Sequence, residues 1–253
     1  PGQTRLKRVI CETGGKNAIL IDDDADLDEA VTGVLKSAFG YAGQKCSACS
    51  WVIAVGDAYG PFLERLVAAA RGLRALPADS PACDVPPVID ADAKARLLFA
   101  GTPEGAGAGA RLLFRGEVPE RGRFVPPLIF EVTDKSHRFM QEELFGPVLA
   151  LMKAATFEEA LDFALGTPFA LTGAVFTRSP SHLEAARERF RVGNLYLNRG
   201  STGALVERQP FGGFGHSGLG TKAGGPGYLH LYAEPWCVTE NTMRHGFTPD
   251  IEG

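Results

Sequence analysis

The segment PVLALMKAATFEEALDFALGTPFALTGAVFT, residues 147–177, decides the fold class. An apolar run, PVLALMKA, precedes a helix predicted at 156–165, and a second apolar run, LTGAVFT, follows that helix. Short apolar strands that alternate with helices of this length are typical of α/β proteins with a largely parallel sheet. We therefore expect a mostly parallel sheet flanked by helices.

The same alternation extends along most of the chain. Asp26 is placed to cap a helix that runs to about Phe39, with Glu29 at its third position, and Ser179 or Ser181 caps a later helix. Other predicted elements are strand-like residues on both sides of the glycine pair in segment 7–22, helices at 59–73 and 91–100, and strands at 50–56, 110–116, 123–132 and 193–198. Residues 75–87 are proline-rich and predict an irregular connection, whereas the residues after Tyr228 predict an extended tail.

Composition narrows the class of protein. The 253 residues are 45% hydrophobic with a formal net charge of -4, which is typical of a globular protein and gives no support to nucleic-acid binding. No apolar run approaches the ~18 residues of a membrane helix, and the first eight residues lack the apolar stretch of a signal peptide. The odd number of scattered cysteines favours a reducing compartment, so we expect a cytoplasmic protein. Because the chain begins with Pro1, we also expect it to be a piece of a longer protein.

The stretch GQKCSACS, residues 43–50, carries two cysteines three positions apart. A zinc site would need a second ligand pair, and a thioredoxin-like pair would begin a helix, whereas this stretch leads into a predicted strand. Both thiols could instead be buried as small apolar side chains. Cys46 has a further possibility, because Gly43 permits a sharp turn and Lys45 adds a positive charge beside it, which favours an exposed, ionisable nucleophile.

Four blocks, in order along the chain, resemble the aldehyde dehydrogenase superfamily. They are CETGGKNA (11–18), the GQKC that contains Cys46, QEELFGPV (141–148) and QPFGGFGHSG (209–218). Within that superfamily, GQKCSA, GNLYLNRGSTGALV and TKAGGPGYL are most similar to the delta-1-pyrroline-5-carboxylate dehydrogenases, which oxidise glutamate semialdehyde to glutamate. The end of the chain, CVTENTMRHGF, is more weakly similar to bacterial forms fused to proline dehydrogenase. The resemblance implies a catalytic domain over 1–232 and a C-terminal oligomerisation strand or tail over 233–253.

The resemblance also implies roles for individual residues. Cys46 would be the nucleophile that forms a thiohemiacetal, and Glu12 the general base that activates water to hydrolyse the thioester. Glu143 and Phe145 would bind the ribose and the nicotinamide of NAD, with NADP as the alternative cofactor.

The expected substrate site uses backbone amides to hold the carboxylate of the amino-acid aldehyde. Gly203 and Ala204 match that loop, Ser47 would hydrogen-bond the same carboxylate, and Phe211 would pack on the aliphatic part. The alternative for Ser47 is that it only caps its own loop. His216 receives no role. The GxGxxG in residues 213–218 does not follow a strand directly, so we expect a close-lying loop there and not a dinucleotide-binding fingerprint.

Several expectations concern the protein as a whole. The resemblance implies that most of the cofactor domain is missing, so we expect this chain alone to bind no NAD, to be inactive and to self-associate as a homo-oligomer. Its substrate would be a small aldehyde. Alternatives are an aldehyde dehydrogenase of other specificity, a non-catalytic binding or scaffold module in which Cys46 is idle, and a redox protein that joins Cys46 to Cys49.

Overall fold

The computed structural model describes residues 2–4 and 6–242 and has the expected alternation of strands and helices. The strands of the described chain, numbered in order, are β1 (Asn17–Ile21), β2 (Cys49–Val55), β3 (Ala110–Arg115), β4 (Leu128–Val132), β5 (Val148–Ala154), β6 (Phe169–Ala170), β7 (Thr172–Phe176), β8 (Asn194–Leu197) and β9 (Phe214–Gly215). The helices are α1 (Leu27–Phe39), α2 (Tyr59–Ala70), α3 (Ala91–Ala100), α4 (Pro103–Ala106), α5 (Arg138–Gln141), α6 (Phe157–Ala164) and α7 (Pro180–Arg189). Short 3-10 turns cover Gly40–Gly43, Gly56–Ala58 and Tyr228–Tyr232.

The central sheet has seven strands in the order β3-β4-β5-β2-β1-β7-β8. Every neighbouring pair is parallel except β3 and β4, which are antiparallel at one edge. A separate two-stranded sheet pairs β6 with β9. The predicted α/β fold with a mostly parallel sheet is therefore confirmed.

The middle of the sheet is buried on both faces. All five residues of β1 are buried, and so are six of the seven residues of β2. Continuous apolar strands of this kind need helices on both faces. Phe39 of α1, Phe62 of α2 and Phe157 of α6 supply large, almost fully buried side chains to this core.

Helix starts follow the predicted caps. The Asp26 side chain accepts hydrogen bonds from the N–H groups of Asp28 and Glu29, which begins α1. Of the two serines proposed for α7, Ser179 is the cap, because its hydroxyl accepts the N–H of His182. Each cap satisfies an N–H group that has no partner within its helix.

Three predicted extended segments differ in the structure. The strand expected at 123–132 is confined to β4, because Pro126 and Pro127 have no N–H to donate to a neighbouring strand. The strand-like residues before the glycine pair form no strand, and only β1 after the pair does. The tail expected after Tyr228 begins with the 3-10 turn Tyr228–Tyr232.

Residues 233–242 carry no regular secondary structure, and residues 243–253 of the predicted tail lie outside the described residues. A tail strand used in oligomerisation therefore stays a prediction. Among the described residues, no helix has the length and apolar character needed to cross a membrane.

The parallel arrangement places the predicted site residues together. Glu12, Cys46 and Glu143 each lie three to five residues before the first residue of β1, β2 and β5 respectively. Because the amino ends of parallel strands meet at one edge of a sheet, the three side chains converge although they are distant in sequence.

Candidate active site

A cavity of about 310 Å³ lies at this amino-terminal edge of the sheet. Five of the eight predicted site residues line it: Glu12, Cys46, Glu143, Phe145 and Phe211. The remaining lining residues are Thr13, Gly14, Leu171, Gly212, Gly213 and Ser217. The cavity thus brings together a thiol, two carboxylates and two aromatic rings from four separate segments of the chain.

The turn that precedes Cys46 is built from three consecutive residues with left-handed backbone. Tyr41, Ala42 and Gly43 have φ of 63°, 55° and 66°. A Cβ on Gly43 would lie 2.2 Å from the carbonyl oxygen of Gly146, so only glycine fits at this position. The prediction that Gly43 permits a sharp turn ahead of the thiol is confirmed.

The prediction that Lys45 makes Cys46 an exposed thiol that ionises easily is wrong. Cys46 is half-buried, and burial is the main cause that raises the pKa of its thiol, with the Glu143 carboxylate as the second cause and Glu12 as a smaller one. Hydrogen bonds from the backbone N–H groups of Ser47 and Cys46 to the sulfur act in the opposite direction. The Lys45 ammonium lies over the Tyr41 ring, 5.3 Å from its centroid, so its charge is directed at an aromatic face.

Buried side chains that the sequence did not single out hold the backbone of the Cys46 loop. The Asn17 side-chain amide donates to the carbonyls of Cys46 (2.7 Å) and Ala48 (2.9 Å) and accepts the N–H of Thr172 (2.9 Å). The hydroxyls of Thr172 and Ser201 both donate to the carbonyl of Ser47 at 3.3 Å. The only sequence signal for this arrangement is a polar residue at the start of an otherwise apolar strand.

Glu12 is exposed at the mouth of the cavity. Tyr228 donates its hydroxyl hydrogen to Glu12 Oε1 at 3.4 Å, and Tyr232 donates to the Tyr228 hydroxyl at 3.0 Å. This contact with Tyr232, with smaller effects of burial and of Glu12, raises the pKa of Tyr228 to about 12. Tyr228 is therefore a neutral hydrogen-bond donor to the carboxylate that is predicted to act as the general base.

Glu143 is half-buried against the glycine pair. Its Oε1 accepts the N–H of Gly15 at 3.1 Å, and a Cβ on Gly14 would lie 1.7 Å from Oε2. Burial raises the pKa of the Glu143 carboxyl, while the Gly15 hydrogen bond and the charge of Lys16 lower it. The Lys16 side chain is 5% exposed, and burial lowers its pKa to about 7 despite the opposing charges of Cys49, Glu143 and Glu142.

The two aromatic residues at the cavity present their rings differently. Phe145 is 41% exposed and has a φ of 52°, which is unusual for a residue with a side chain. It is not a core residue. Phe211 is half-buried, and its backbone pairs with Ala223 in an isolated bridge.

The glycine-rich loop of residues 212–218 forms the other side of the cavity. Thr13 N–H donates to the Ser217 carbonyl at 3.3 Å, and the Thr13 hydroxyl donates to the carbonyl of His216. Lys222 fixes the loop by donating to the carbonyls of Gly193 and Gly212. The loop contains β9 and opens no helix, so its GxGxxG pattern is not a dinucleotide-binding turn, as predicted.

The three residues predicted to recognise the substrate carboxylate do not line this cavity. Gly203 has a φ of 86° and is exposed, Ala204 is half-buried, and Ser47 takes part through its carbonyl in the loop contacts described above. Their roles in substrate recognition stay predictions. The exposed His216 ring makes an edge contact with Phe169.

Cys49 has a structural environment. It is 1% exposed at the start of β2, its Sγ donates to the Trp51 carbonyl at 3.3 Å, and burial raises its pKa to about 12. Cys46 and Cys49 are both free thiols. The one cluster of potential metal ligands within the described ranges is Asp22, Asp23 and Asp24, which contains no cysteine.

Comparison with known proteins identifies the family to which this fold and cavity belong. Residues 2–238 match the model of the aldehyde dehydrogenase family. The chain therefore belongs to the aldehyde dehydrogenase family.

Individual relatives show which members of this family the chain resembles. The chain is 47% identical over 244 residues to a 1-pyrroline-5-carboxylate dehydrogenase of Geobacillus kaustophilus, and the match covers 95% of this chain and 46% of that relative. It matches the crystal structure of proline utilization A from Bdellovibrio bacteriovorus with a TM-score of 0.92 and 52% identity, over 98% of this chain and 26% of that one. A Thermus 1-pyrroline-5-carboxylate dehydrogenase with bound NAD gives a TM-score of 0.86 and 45% identity, over 92% and 45% of the two chains. The chain spans less than half the length of the relatives it matches.

Proposed function

We propose that this chain is the catalytic part of an NAD-dependent aldehyde dehydrogenase that oxidises glutamate semialdehyde, the open form of 1-pyrroline-5-carboxylate, to glutamate. The observation that carries the proposal is the cavity in which the Cys46 thiol lies together with the Glu12 and Glu143 carboxylates. The substrate named for the Geobacillus relative supports the choice of aldehyde, and the NAD bound to the Thermus protein supports the cofactor.

The first step is nucleophilic addition. Cys46 gives up its proton to a carboxylate of the cavity, and its sulfur forms a bond to the aldehyde carbon as the carbonyl electrons move to oxygen. The backbone N–H groups of Cys46 and Ser47 lower the pKa of the thiol, and donors of this kind next to the reacting sulfur can stabilise that oxyanion. The product is a thiohemiacetal on Cys46.

Two residues of this chain fit one end of a dinucleotide. Glu143 offers carboxylate oxygens that can accept from ribose hydroxyls, and Phe145 exposes an aromatic ring beside the same cavity. When bound, the dinucleotide supplies the acceptor for the hydride that leaves the thiohemiacetal carbon, so that a thioester remains on Cys46.

The last step is hydrolysis. Glu12 takes a proton from a water molecule as the water oxygen attacks the thioester carbon, and the carbon–sulfur bond then breaks to release the acid and the thiol. The exposure of Glu12 suits this role because water reaches it freely, and the hydrogen bond from Tyr228 keeps its carboxylate at the cavity.

We further propose that the 253-residue chain by itself does not turn over substrate and that it self-associates. The described residues that face the cavity offer groups for the nicotinamide end of the cofactor only. Leu229, Tyr232 and Trp236 lie within eight positions of one another in the sequence and are 76%, 65% and 89% exposed, and a larger exposed apolar surface is typical of an interaction site. Sedimentation of the purified chain as a single monomer would argue against self-association.

The enzymatic proposal is tested in the chain alone and in a longer protein that contains it. The purified chain, given 1-pyrroline-5-carboxylate and NAD, should form no NADH. In the longer protein, Cys46→Ser should abolish NADH formation, whereas Cys237→Ser, at an exposed position that does not line the cavity, should leave it unchanged. Glu12→Gln should allow one rapid turnover and then stop, because the thioester is no longer hydrolysed.

Two outcomes would contradict the proposal. Turnover by the Cys46→Ser protein would remove Cys46 from the mechanism. No turnover in the longer protein, with wild-type Cys46 present and the protein folded, would favour a non-catalytic binding module.

A further inference from the structure

A set of buried polar side chains holds the backbone of the Cys46 loop through hydrogen bonds to its carbonyl groups. Asn17 is 1% exposed, Thr172 is 2% exposed and Ser201 is fully buried. Together they donate to the three consecutive carbonyls of residues 46–48. A buried amide or hydroxyl costs free energy unless it is hydrogen-bonded, so a set of this kind fixes a particular backbone conformation.

The peptide group between Cys46 and Ser47 has a special position in this set. Its carbonyl accepts the shortest of the anchoring bonds, from Asn17 Nδ2 at 2.7 Å. Its N–H belongs to Ser47, and this N–H lowers the pKa of the Cys46 thiol. Because the C=O and N–H of a trans peptide point in opposite directions, fixing the carbonyl on Asn17 also fixes the direction of the Ser47 N–H.

The next peptide group, between Ser47 and Ala48, is also held through its carbonyl, but its N–H is bonded elsewhere and not directed at the sulfur. The Ser47 carbonyl accepts from Thr172 and Ser201, and the N–H of the same peptide group, that of Ala48, donates to the Lys45 carbonyl at 3.0 Å. The two adjacent peptide groups therefore offer a matched comparison of similar burial.

We infer that Asn17 is a positioning residue for the nucleophile: through the Cys46–Ser47 peptide group it aims the Ser47 N–H at the Cys46 sulfur. Asn17 also accepts the N–H of Thr172, the first residue of β7, so its side chain ties this peptide group to the rigid sheet. A donor held in this way stabilises a thiolate, and later an oxyanion, without having to reorganise. The inference rests on the proposed role of Cys46 as the nucleophile.

The Ser47 N–H donor matters for the thiol because the charged groups nearest to Cys46 disfavour the thiolate. The cavity wall from the segments before β1 and β5 brings the Glu12 and Glu143 carboxylates, which both raise the pKa of Cys46. The wall from β7 and the glycine-rich loop brings only uncharged residues, namely Leu171, Phe211, Gly212, Gly213 and Ser217. Lys45 is directed at Tyr41, and Lys16 acts on Glu143.

The test measures the rate at which iodoacetamide alkylates Cys46 as a function of pH, by peptide mass spectrometry of the folded 253-residue chain. Asn17→Leu keeps a similar size and Asn17→Ala does not, and both lose all three bonds without adding a charge beside the thiol. Both should slow alkylation at neutral pH about tenfold and move the midpoint of the pH–rate profile up by roughly one pH unit, which corresponds to the loss of one hydrogen bond to the thiolate. Ser201→Ala, the matched control, should leave the midpoint in place.

Each variant is also checked by thermal unfolding, with exposed Cys11 as the internal reference for reagent and pH. The inference is overturned if folded Asn17 variants keep the wild-type midpoint, or if Ser201→Ala moves it as far as they do. It is also overturned if no Asn17 variant retains a cooperative unfolding transition, because Asn17 is then a folding residue alone. The readout is thiol reactivity, so an inactive but normally reactive parent enzyme would contradict the proposed function and leave this inference intact.

Discussion

Glu143 and Gly15 are joined by a hydrogen bond of 3.1 Å between a carboxylate oxygen and a backbone N–H, although 128 residues separate them in sequence. The carboxylate occupies the space that a side chain on Gly14 would fill. This contact places a partly buried negative charge beside the predicted nucleophile Cys46. The consequence for the thiol can be measured directly.

Glu143→Gln should make Cys46 more reactive. The Glu143 carboxylate raises the pKa of Cys46, so removing its charge lowers that pKa and increases the thiolate fraction at neutral pH. We expect alkylation to accelerate about two- to fivefold, the size typical of a nearby charge that is screened by solvent. The control is Glu142→Gln, which removes an exposed carboxylate paired with Arg138 and should have no effect. A slower reaction in Glu143→Gln would contradict this account of the site.

Lys16→Met should stabilise the fold, and more so at low pH. Burial lowers the pKa of Lys16 to about 7, so between that value and its usual 10.5 the unfolded chain binds a proton that the folded chain does not. The free energy of unfolding of the wild-type chain therefore rises as pH increases through this range. The destabilisation caused by the buried, charged amine is largest below pH 7. The gain in free energy of unfolding should be on the order of 2–4 kcal/mol at pH 6 and should shrink toward pH 10. Urea unfolding at several pH values checks this, and a gain that does not depend on pH would refute it.

Gly43→Ala should be strongly destabilising. Its φ of 66° is unfavourable for alanine, and the new Cβ would lie 2.2 Å from the Gly146 carbonyl oxygen. We expect a loss of roughly 2–4 kcal/mol in the free energy of unfolding, together with lower Cys46 reactivity because the turn before it is displaced. Gly60→Ala is the matched control: it lies in α2 with open space around it and should be neutral or stabilising by about 0.5–1 kcal/mol. Equal effects of the two substitutions in urea unfolding would argue against a special role for the turn.

His182→Gln should destabilise the fold mainly at acidic pH. His182 Nδ1 lies 2.5 Å from Oδ2 of the fully buried Asp22, and its ring stacks on Phe157. Although burial lowers the pKa of His182, the hydrogen bond and charge of Asp22 outweigh it, so the net pKa is raised. The contribution to stability is therefore complete below the unfolded pKa of about 6.5 and is lost as pH rises through the higher folded pKa.

The measurement is the difference in melting temperature between wild type and His182→Gln at pH 6 and at pH 9. The difference should be larger at pH 6. His230→Gln, at an exposed histidine, is the control for general effects of the substitution and should show no such trend. A deficit that grows toward pH 9 would mean that the neutral ring is the form stabilised by Asp22.

Local sequence signals determined much of the fold. The alternation of apolar strands with capped helices predicted the parallel sheet. This was possible because the spacing of apolar residues and the capping of helices depend on only a few neighbouring residues. Asp26 and Ser179 cap their helices through bonds that span two or three positions. The strand predicted at 123–132 is longer than the observed strand, because Pro126 and Pro127 lack two N–H donors. The two prolines are a local signal against a strand, but the apolar run around them favoured one.

The electrostatics of the site depended on contacts that no local pattern contains. Lys45 stands next to Cys46 in sequence, yet its charge lies over Tyr41, while Glu143, 97 positions away, is the charged neighbour that shifts the thiol most. A pKa depends on distance and burial in three dimensions, and both are set by how β1, β2 and β5 pack.

The sequence by itself therefore determined which residue types are present for the proposed chemistry, the predicted nucleophile in its glycine-led loop and the acids in their motifs, because motifs and spacing are local. Only the tertiary structure decided which of them meet. It brought Glu12, Cys46, Glu143, Phe145 and Phe211 to one cavity and placed Ser47, Gly203 and Ala204 outside its lining. It also placed Asn17 beside the loop, since hydrogen bonds that join one side chain to Cys46, Ala48 and Thr172 exist only after three strands have been packed side by side.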